Sequence, residues 1–400
     1  MEFETVKISD LISEISMGPF GSNIKVECFV DSGIPVLNGS NLDGFVLKEE
    51  SFRYVTKEKA DSLGKANASR GDIVITHRGT LGQIVFIPDN SLYDRYVISQ
   101  SQFRVKCNEK VLPEYLVYYF HTMIGQHKLL SNASQVGVPA LARASTTFQE
   151  IDVDIPSMNN QRKIVKLLEI IRQKEEVNNR TNDNLSKLSQ LLYLQLSDSV
   201  SGNNEQPLSE FIDIRDGTHD SPKSQTFGYP LITSKHLLPF GVDTLSANFI
   251  SQSDYDKINE RSKVNTYDIL FSMIGTVGLV SLVIEENVDF AIKNVGLFKT
   301  SEHPDLVPYI FEYLKSYKTS VKIDSCLAGS TQKYISLGEL RKLPIVIPTP
   351  EQLKNYNSIA KPIIKQIASL TAENKALAQL RDSLLPKLMS GEIDVSNINF

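Results

Sequence analysis

The sequence predicts an α+β protein in which a mixed α/β domain followed by a long helix occurs twice, as a tandem pseudo-two-fold repeat. Three observations predict this fold class. Apolar residues near the C-terminus recur with coiled-coil spacing, a matching helical segment lies 192 residues earlier, and a strand-rich segment with matching motifs precedes each helix. A chain of 400 residues is also long enough for more than one hydrophobic core.

The C-terminal helix is predicted from Ile359 to Leu388, because apolar residues there are separated by alternating steps of four and three. Polar Asn374 and Arg381 interrupt this seam, which costs stability but fixes the register of the partner helix. Pro386, which lacks an amide donor, and the Ser390-Gly391 pair predict where the helix ends. The seam positions are Ile363, Ile367, Leu370, Asn374, Leu377, Arg381, Leu384 and Leu388.

The central helix repeats the C-terminal one. Its run 182–188 matches the run 374–380 at a constant offset of 192 residues. Between Lys174 and Asn184 the apolar pattern lapses, and we expect this polar stretch to be solvated, with a contact to another subunit as the alternative. Six equivalent leucines are expected to pack within the helix pair: Leu185, Leu188, Leu192, Leu377, Leu380 and Leu384.

The predicted division of the chain follows from this repeat. Residues 1–156 form the first domain and residues 157–200 the central helix. Residues 201–348 form the second domain and residues 349–400 the C-terminal helix. Each helix follows an Ile-Pro pair, Ile155-Pro156 or Ile347-Pro348, and these pairs are again 192 residues apart.

The two domains share scaffold motifs but differ in their loops. The segment 33–37 reappears as 228–232, and the glycines of 79–82 reappear in 275–278. Between the matching motifs, Thr76-His77-Arg78 stands opposite Ser272-Met273-Ile274. Short strands are predicted at 73–75 and 84–87, and a buried helix at 115–120. One frame with different loops predicts two related sites that recognise different things.

Composition excludes several classes of protein. The net charge of −5 argues against a chain that holds nucleic acid by bulk charge alone. Cys28, Cys107 and Cys326 lie far apart, which is typical of reduced thiols in a cytoplasmic protein. No apolar run approaches the roughly 20 residues that cross a bilayer, and the N-terminus lacks the pattern of a signal peptide, so no membrane partner is expected.

No catalytic signature is present, and we expect neither catalytic residues nor a metal site. The sequence lacks a phosphate loop of the Walker type, a zinc-binding His-Glu-x-x-His helix and a nucleophile elbow. Its six histidines are scattered. One interpretation left open is a non-catalytic scaffold whose two domains bind protein. A third, an enzyme with an unrecognised site, has no convergent acid–base or nucleophile set to support it.

Several motifs resemble those of one family. The closing run 380–393, Leu-Arg-Asp-Ser-Leu-Leu-Pro-Lys-Leu-Met-Ser-Gly-Glu-Ile, is characteristic of the specificity (S) subunits of type I restriction-modification systems. Gly18-Pro19-Phe20-Gly21-Ser22 resembles the opening of their first domain, and the segment 216–222 that of their second. Ile347-Pro348 with Glu351-Gln352 resembles their entry into the last helix, whereas the first copy departs from this pattern at 157–161.

The resemblance implies two target-recognition domains separated by an antiparallel pair of long helices. Each domain of such a subunit reads one half of a split, asymmetric sequence in double-stranded DNA. The helices space the halves and dock two methyltransferase (M) subunits, and restriction (R) subunits join afterwards. S-adenosylmethionine, ATP and Mg²⁺ belong to those partners, so the resemblance implies no cofactor and no catalysis for this chain.

Candidate base-reading residues follow from the divergent loops. Arginine and lysine suit guanine, asparagine and glutamine suit adenine, and hydroxyl groups suit either base or phosphate. In the first domain the candidates are His77, Arg78, Thr80, Arg95, Gln100, Gln102 and Arg143. In the second domain they are Lys293, Asn294, Ser330, Thr331, Gln332 and Lys333.

Overall fold

A computed structural model of the chain describes residues 1–134, 137–200, 205–329 and 331–398, apart from the side chain of Ser22. Its residues form two compact units. Unit 1 comprises 1–174 together with 376–400, and unit 2 comprises 175–375. Each unit therefore contains one globular domain and a part of each long helix. No helix of the described residues is both long enough and apolar enough to span a membrane.

The strands and helices are numbered in chain order. The strands of the first half are β1 (Phe3–Lys7), β2 (Ile12–Met17), β3 (Phe29–Val30), β4 (Ile34–Val36), β5 (Arg53–Val55), β6 (Asn67–Ser69), β7 (Asp72–Thr76), β8 (Ile84–Phe86), β9 (Arg95–Val97), β10 (Gln102–Cys107), β11 (Ala133–Ser134), β12 (Ala140–Leu141) and β13 (Asp152–Pro156). Those of the second half are β14 (Gln206–Pro207), β15 (Ile214–Asp216), β16 (Tyr229–Ile232), β17 (Asn248–Ile250), β18 (Ile269–Ser272), β19 (Val280–Leu282), β20 (Ala291–Ile292), β21 (Val295–Phe298) and β22 (Pro344–Ile345).

The α-helices are α1 (Lys57–Ser62), α2 (Pro113–Phe120), α3 (Met123–Leu130), α4 (Ala144–Gln149), α5 (Met158–Val200), α6 (Gln252–Ser262), α7 (Val307–Lys315), α8 (Tyr317–Ser325), α9 (Leu337–Arg341) and α10 (Pro350–Ser390). Short 3₁₀ turns lie at Ile8–Asp10, Gly21–Asn23, Val26–Cys28, Gly39–Asn41, Gly64–Ala66, Leu208–Glu210, Ser234–His236 and Thr300–Glu302. The predicted buried helix after Pro113 is confirmed as α2, and the predicted strands at 73–75 and 84–87 are confirmed as β7 and β8.

Unit 1 is built on a four-stranded antiparallel sheet in the order β2-β10-β7-β8. One face of this sheet packs against α2, whose residues Tyr115 to Phe120 are buried. The opposite face packs on a second sheet in the order β3-β5-β4-β9-β6, where Val74, Val85 and Ile98 share a core. Strands buried on both sides read as continuous apolar runs, which is the pattern of β7.

Unit 2 repeats this architecture with a smaller second sheet. Its main sheet has the order β15-β21-β18-β19, and its second sheet has the order β17-β16-β20. Helices α7 and α8 follow the main sheet as α2 and α3 do in unit 1. In each domain the first and last strands pair as a two-stranded antiparallel ribbon, β1 with β13 and β14 with β22. The predicted α+β repeat is thus confirmed.

The two long helices differ in their bounds from the sequence prediction. Helix α10 begins at Pro350, nine residues before the predicted start, because Thr349 caps it: its hydroxyl accepts from the Gln352 amide at 3.3 Å, and the Gln352 side chain accepts from the Thr349 amide at 2.9 Å. Pro386 does not end the helix, because buried Leu385, Leu388 and Met389 hold its last turns in the core of unit 1. The predicted exit after Ser390 is confirmed, with Gly391 at a φ of +79°.

Within unit 2 the helices pair antiparallel through a polar centre. Asn182 donates to the Thr371 hydroxyl at 3.3 Å, and Asn374 donates to the Asn179 side chain at 2.7 Å. Because positions 182 and 374 are equivalent in the repeat, as are 179 and 371, these two contacts are related by a local pseudo-two-fold axis. Asn178, which is 2% exposed, donates to both Glu373 and Asn374. Part of the stretch expected to be solvated is therefore buried.

Two of the six leucines expected to pack in the helix pair are exposed. Leu188 and Leu380 are 43% and 46% exposed, so their predicted core role is wrong. The buried face of α5 passes through Ser189 and Tyr193, and a residue one position earlier lies about 100° around the helix. The other four predicted leucines, Leu185, Leu192, Leu377 and Leu384, are half-buried.

The central strands of each main sheet are joined by a buried ion pair. In unit 2 the Lys299 ammonium lies 2.5 Å from the Asp268 carboxylate, and these side chains are 3% and 0% exposed. Asp268 also accepts from the amides of Asn265 and Ser301. In unit 1 the equivalent Asp72 pairs with Arg104 at 3.2 Å. Desolvation by burial raises the pKa of Asp72 despite this partner.

Replacing Lys299 with methionine is expected to destabilise unit 2 by roughly 3–5 kcal/mol, because the Asp268 charge would stay buried without its cation. The measurement is native-state hydrogen exchange of the β18 amides, whose opening free energy reports on this unit. Lys263→Met, which removes an exposed lysine from the same unit, is the matched control and is expected to have little effect. A Lys299→Met change below about 1 kcal/mol would contradict the assignment.

Candidate nucleic-acid interface

The strand directions of unit 1 bring three loops to one end of the main sheet. Strand β10 runs antiparallel to both β2 and β7. The chain after β2, the chain before β10 and the turn between β7 and β8 therefore emerge at the same end. These segments are 18–22, 98–101 and 77–83. This end of the sheet contains most of the candidates predicted in the first domain.

Backbone hydrogen bonds join these loops to one another. The Gly18 amide donates to the Gln102 carbonyl at 2.8 Å, and the His77 amide donates to the Ser101 carbonyl at 2.9 Å. A fourth segment, the β11–β12 region, joins the same surface, because the Gly79 amide donates to Pro139 and the Leu141 amide donates to His77, both at 2.9 Å. Arg78 and Arg143, which are 65 residues apart in sequence, thus belong to one loop cluster.

Unit 2 repeats three of these four bonds with different residues. The Gly217 amide donates to the Val295 carbonyl at 2.9 Å, as Gly18 does to Gln102. The Gly275 amide donates to Lys333 at 3.1 Å and the Ile335 amide donates to Met273 at 2.9 Å, as Gly79 and Leu141 do in unit 1. We call these two regions the sheet-end loops, 18–22, 77–83, 98–101 and 137–143 in unit 1, and 217–221, 273–279, 292–294 and 331–335 in unit 2.

Two arginines of the unit 1 loops are available to a ligand. Arg78 and Arg143 are exposed, and neither side chain forms an ion pair or hydrogen bond with a described residue. Arg143 has a φ of +46°, a left-handed conformation that is uncommon outside glycine. An unpaired guanidinium has free donors for guanine or phosphate.

His77 is positioned by the loop beside it. Its Nε2 lies 3.1 Å from the Gln100 carbonyl, and because a carbonyl only accepts, Nε2 carries the proton. Partial burial lowers the pKa of His77, so the ring is neutral at neutral pH. Its Nδ1 is then an acceptor, suited to the amino groups of adenine or cytosine.

The structure separates the remaining first-domain candidates. Thr80 and Gln100 are exposed on the sheet-end loops. Gln102 is fully buried, and its Oε1 accepts from the Ser99 amide at 2.9 Å, so its role is structural and the prediction for it is wrong. Arg95 pairs with Asp61 at 2.5 Å. It begins β9, whose other end leads to the loops, so it lies about 10 Å or more from them.

The loops of unit 2 place a different set of polar groups. Thr331, Gln332 and Lys333 are exposed beside the Gly275 turn, and Ser330 lies outside the described residues. Lys293 and Asn294 are half-buried, and the Lys293 ammonium donates to the Ser221 hydroxyl at 2.5 Å. Unit 2 has Ile274 where unit 1 has Arg78, and this half-buried apolar side chain packs against the core of unit 2, so the turn lacks the cation.

Sequence reasoning missed one polar group at this surface, the side chain of His219. Its Nδ1 lies 2.8 Å from the Asn294 side-chain oxygen, and its Nε2 lies 3.0 Å from the Asp216 carboxylate. Asp216 is 5% exposed and also pairs with Arg261. The segment that contains His219 was recognisable by its match to the family's domain opening, but no residue of it was predicted to contact a ligand.

The described part of this surface is suited to binding. Its groups are hydrogen-bond donors and acceptors, guanidinium and ammonium cations, and exposed backbone turns. Among the described residues, no three His, Cys, Asp or Glu side chains group as metal ligands. Two similar frames with different polar groups can recognise two different edges of one extended ligand.

Comparison with known proteins agrees with this geometry. A family model described as the type I restriction modification DNA specificity domain matches residues 2–187 and 202–379. The type I restriction enzyme MjaIX specificity subunit of Methanocaldococcus jannaschii is 23% identical over 429 residues, which cover 99% of this chain and 95% of that protein. The type I restriction enzyme HindI specificity subunit of Haemophilus influenzae is 23% identical over 441 residues, which cover 88% of this chain and 93% of that protein.

The fold also matches a solved structure. The crystal structure of the S subunit of a type I restriction-modification system from M. genitalium superimposes with a TM-score of 0.57 and 14% identity, covering 97% of this chain and 96% of that one. At this identity the match concerns the fold alone. The family model supplies the assignment, since it spans both units. The chain belongs to the family of type I restriction-modification specificity subunits.

Proposed function

We propose that this chain is the DNA-reading subunit of its restriction-modification complex, with each unit recognising one half of a bipartite, asymmetric target. The chain itself catalyses no step in this proposal. Its partners are double-stranded DNA, two methyltransferase subunits and restriction subunits. S-adenosylmethionine, ATP and Mg²⁺ act in those partner subunits.

One observation carries the proposal: equivalent backbone bonds hold two sets of sheet-end loops whose side chains differ. Gly18 and Gly217, and likewise Gly79 and Gly275, make matching bonds in the two units. The backbone frame that the two units share sets where a side chain emerges, and the side chain sets which base edge it can contact. Two frames with different side chains account for a target whose halves differ.

Charge supports a division of labour with the partner subunits. The chain has a net charge of −5, whereas a protein that neutralises many phosphates by itself is usually basic. Arg78 and Arg143 provide local cations in the loops of unit 1. In this proposal the chain supplies base readout and the partner subunits supply most of the phosphate-neutralising charge.

The helix pair supports the docking role. The polar contacts of Asn182 with Thr371 and of Asn374 with Asn179 obey a local pseudo-two-fold axis. Surfaces related in this way can present similar features to two identical subunits. The half-buried leucines of the pair, Leu185, Leu192, Leu377 and Leu384, hold the helices together in this view, and the exposed faces meet the partners.

An exchange of one domain tests the proposal. Residues 1–156 end between β13 and α5, so they can be replaced by the same segment of another family member. The donor has to accept the helix residues that complete the unit 1 core, among them Ile164, Leu168, Leu385 and Leu388. Methylome sequencing of cells that contain the hybrid and its methyltransferase is expected to show one altered half-site and one unchanged half-site.

Two other outcomes of this exchange would count against the proposal. A hybrid that alters both half-sites would contradict independent reading by the two units. A chain whose presence leaves the pattern of methylation unaltered would favour the alternative, a scaffold whose domains bind protein.

Substitution of the two exposed arginines, Arg78 and Arg143, tests the unit 1 loops. Arg78→Ala and Arg143→Ala are each expected to weaken binding of the methyltransferase complex to its target duplex by about 1–3 kcal/mol, since a good base contact is worth that much. Fluorescence anisotropy at fixed salt measures the loss, and methylome sequencing shows whether one position of the first half-site is relaxed.

Lys110→Ala is the matched control. Lys110 is exposed and follows β10 at the opposite end of the same sheet. Its substitution therefore removes one positive charge from unit 1 without changing the sheet-end loops. We expect near-normal binding for this variant. Equal losses for Lys110→Ala and for the arginine variants would mean that only overall charge matters. Unchanged binding after both arginine substitutions would remove these residues from the interface.

A further inference from the structure

Both units carry an aromatic ring at the same place in their first sheet-end loop. The position lies two residues after the glycine that bonds to the neighbouring strand, Gly18 in unit 1 and Gly217 in unit 2. Unit 1 has Phe20 there, and unit 2 has His219. The two rings are therefore attached at equivalent backbone positions, although the Phe20 ring is apolar and the His219 ring is polar.

Close backbone packing fixes the start of each loop. A Cβ atom at Gly18 would lie 1.9 Å from the Ser99 carbonyl oxygen, and one at Gly217 would lie 2.4 Å from the Ile292 carbonyl oxygen. Both positions thus need glycine. In unit 1 a short 3₁₀ turn follows, in which the Asn23 amide donates to the Phe20 carbonyl at 2.8 Å. The backbone that carries Phe20 is held on both sides.

Phe20 presents its ring to solvent from this fixed backbone. It is 84% exposed, although a phenyl group gains about 1.5–3 kcal/mol from burial. Gln100 and His77 connect the loop that carries Phe20 to the polar surface. Gln100 lies against Gly21, where an added Cβ would come within 2.2 Å of its Oε1, and the Gln100 carbonyl contacts the His77 ring. The loop that carries the apolar ring is therefore part of the cluster that contains Arg78.

The equivalent ring in unit 2 is held by hydrogen bonds instead. Asp216 and Asn294 contact the two ring nitrogens of His219 at 3.0 and 2.8 Å. Insertion of this imidazole between base pairs would break both bonds. The Asp216 carboxylate, which is buried with only 5% of the residue exposed, would then lose His219 as a partner. Phe20 has no polar bond to break. The two loops differ in what they can do to a duplex.

We propose that Phe20 inserts into a base step of the half-site read by unit 1, and that His219 does not insert in the other half. This inference rests on the proposed function. Its occupant is duplex DNA, because Phe20 belongs to the same loop cluster as Arg78 and Arg143, two exposed arginines whose side chains bond with no described residue. Apolar side chains that enter a base step unstack it and bend the duplex, and aromatic stacking on a base offsets part of that cost.

The experiment uses the complex of this chain with its methyltransferase and a duplex of the sequence that methylome sequencing identifies. 2-Aminopurine, whose fluorescence rises when it is unstacked, replaces one adenine at a time across both half-sites. Apart from the adenine that is methylated in each half-site, which leaves the stack for modification, we expect a rise at one step of the unit 1 half-site and none in the other half. Phe20→Ala is expected to abolish that rise and to weaken binding about 5- to 150-fold.

Three further variants separate insertion from other roles. Phe20→Leu keeps an apolar wedge and is expected to retain most of the rise, whereas Phe20→Ser is expected to lose it. His219→Ala is the matched control at the equivalent position and should leave the unit 1 signal intact. Analytical ultracentrifugation of each variant with the methyltransferase reports on assembly in the absence of DNA.

The outcomes distinguish this inference from the proposed function. A complex that binds and methylates its target normally, with no fluorescence rise that depends on Phe20, overturns the insertion while the reading role stands. A Phe20→Ala variant that fails to assemble with the methyltransferase overturns it in favour of a protein contact. A complex with no sequence preference at all would instead overturn the proposed function.

Discussion

The antiparallel pairing of one central strand with both of its neighbours determines where the functional groups of each unit lie. In unit 1 this strand is β10, and in unit 2 it is β21. Because neighbours run in opposite directions, loops distant in sequence emerge at one sheet end. The bonds of Gly18 with Gln102 and of Gly217 with Val295 extend this pairing into the loops. The buried acids Asp72, which begins β7, and Asp268, which precedes β18, pair with Arg104 of β10 and with Lys299 next to β21.

A frame of this kind separates stability from specificity. The core side chains and buried ion pairs belong to the sheet and the helices behind it, whereas the polar groups that meet a ligand stand on turns. A turn residue such as Arg78 can become Ile274 in the other copy while the bonds of Gly79 and Leu141 keep their equivalents at Gly275 and Ile335. Divergence of the loops on a constant scaffold is the expected outcome of selection for new targets.

The repeat and the fold class could be predicted from sequence because they depend on local patterns. Heptad spacing, the 192-residue offset and the paired glycine motifs all lie within short windows of the chain. Even the polar seam at Asn374 was recognisable. The bounds of α10 were less predictable, since Thr349 forms a cap whose partner is visible only in the folded helix, and tertiary packing carries the helix through Pro386.

The candidate site was predictable only in part, for a physical reason in each case. Gln102 looks like a reading residue until the fold shows that its strand turns the side chain inward. Arg95 is paired by Asp61, which is 34 residues away and on another element. His219 gains its position from Asp216 and Asn294, and the second contact joins residues 75 apart. Residue type alone indicates what a side chain can bind, whereas burial and partners decide whether it is available.

The central claim is that the sheet-end loops of both units are the surface that meets DNA. Hydrogen–deuterium exchange of the assembled complex, with and without its methylated target duplex, tests this most directly. We predict slower amide exchange on DNA binding in the sheet-end loops of both units. We predict no change at 108–111, the opposite end of the unit 1 sheet, and little change with a scrambled duplex. Protection confined to that opposite end, or found equally with the scrambled duplex, would contradict the account.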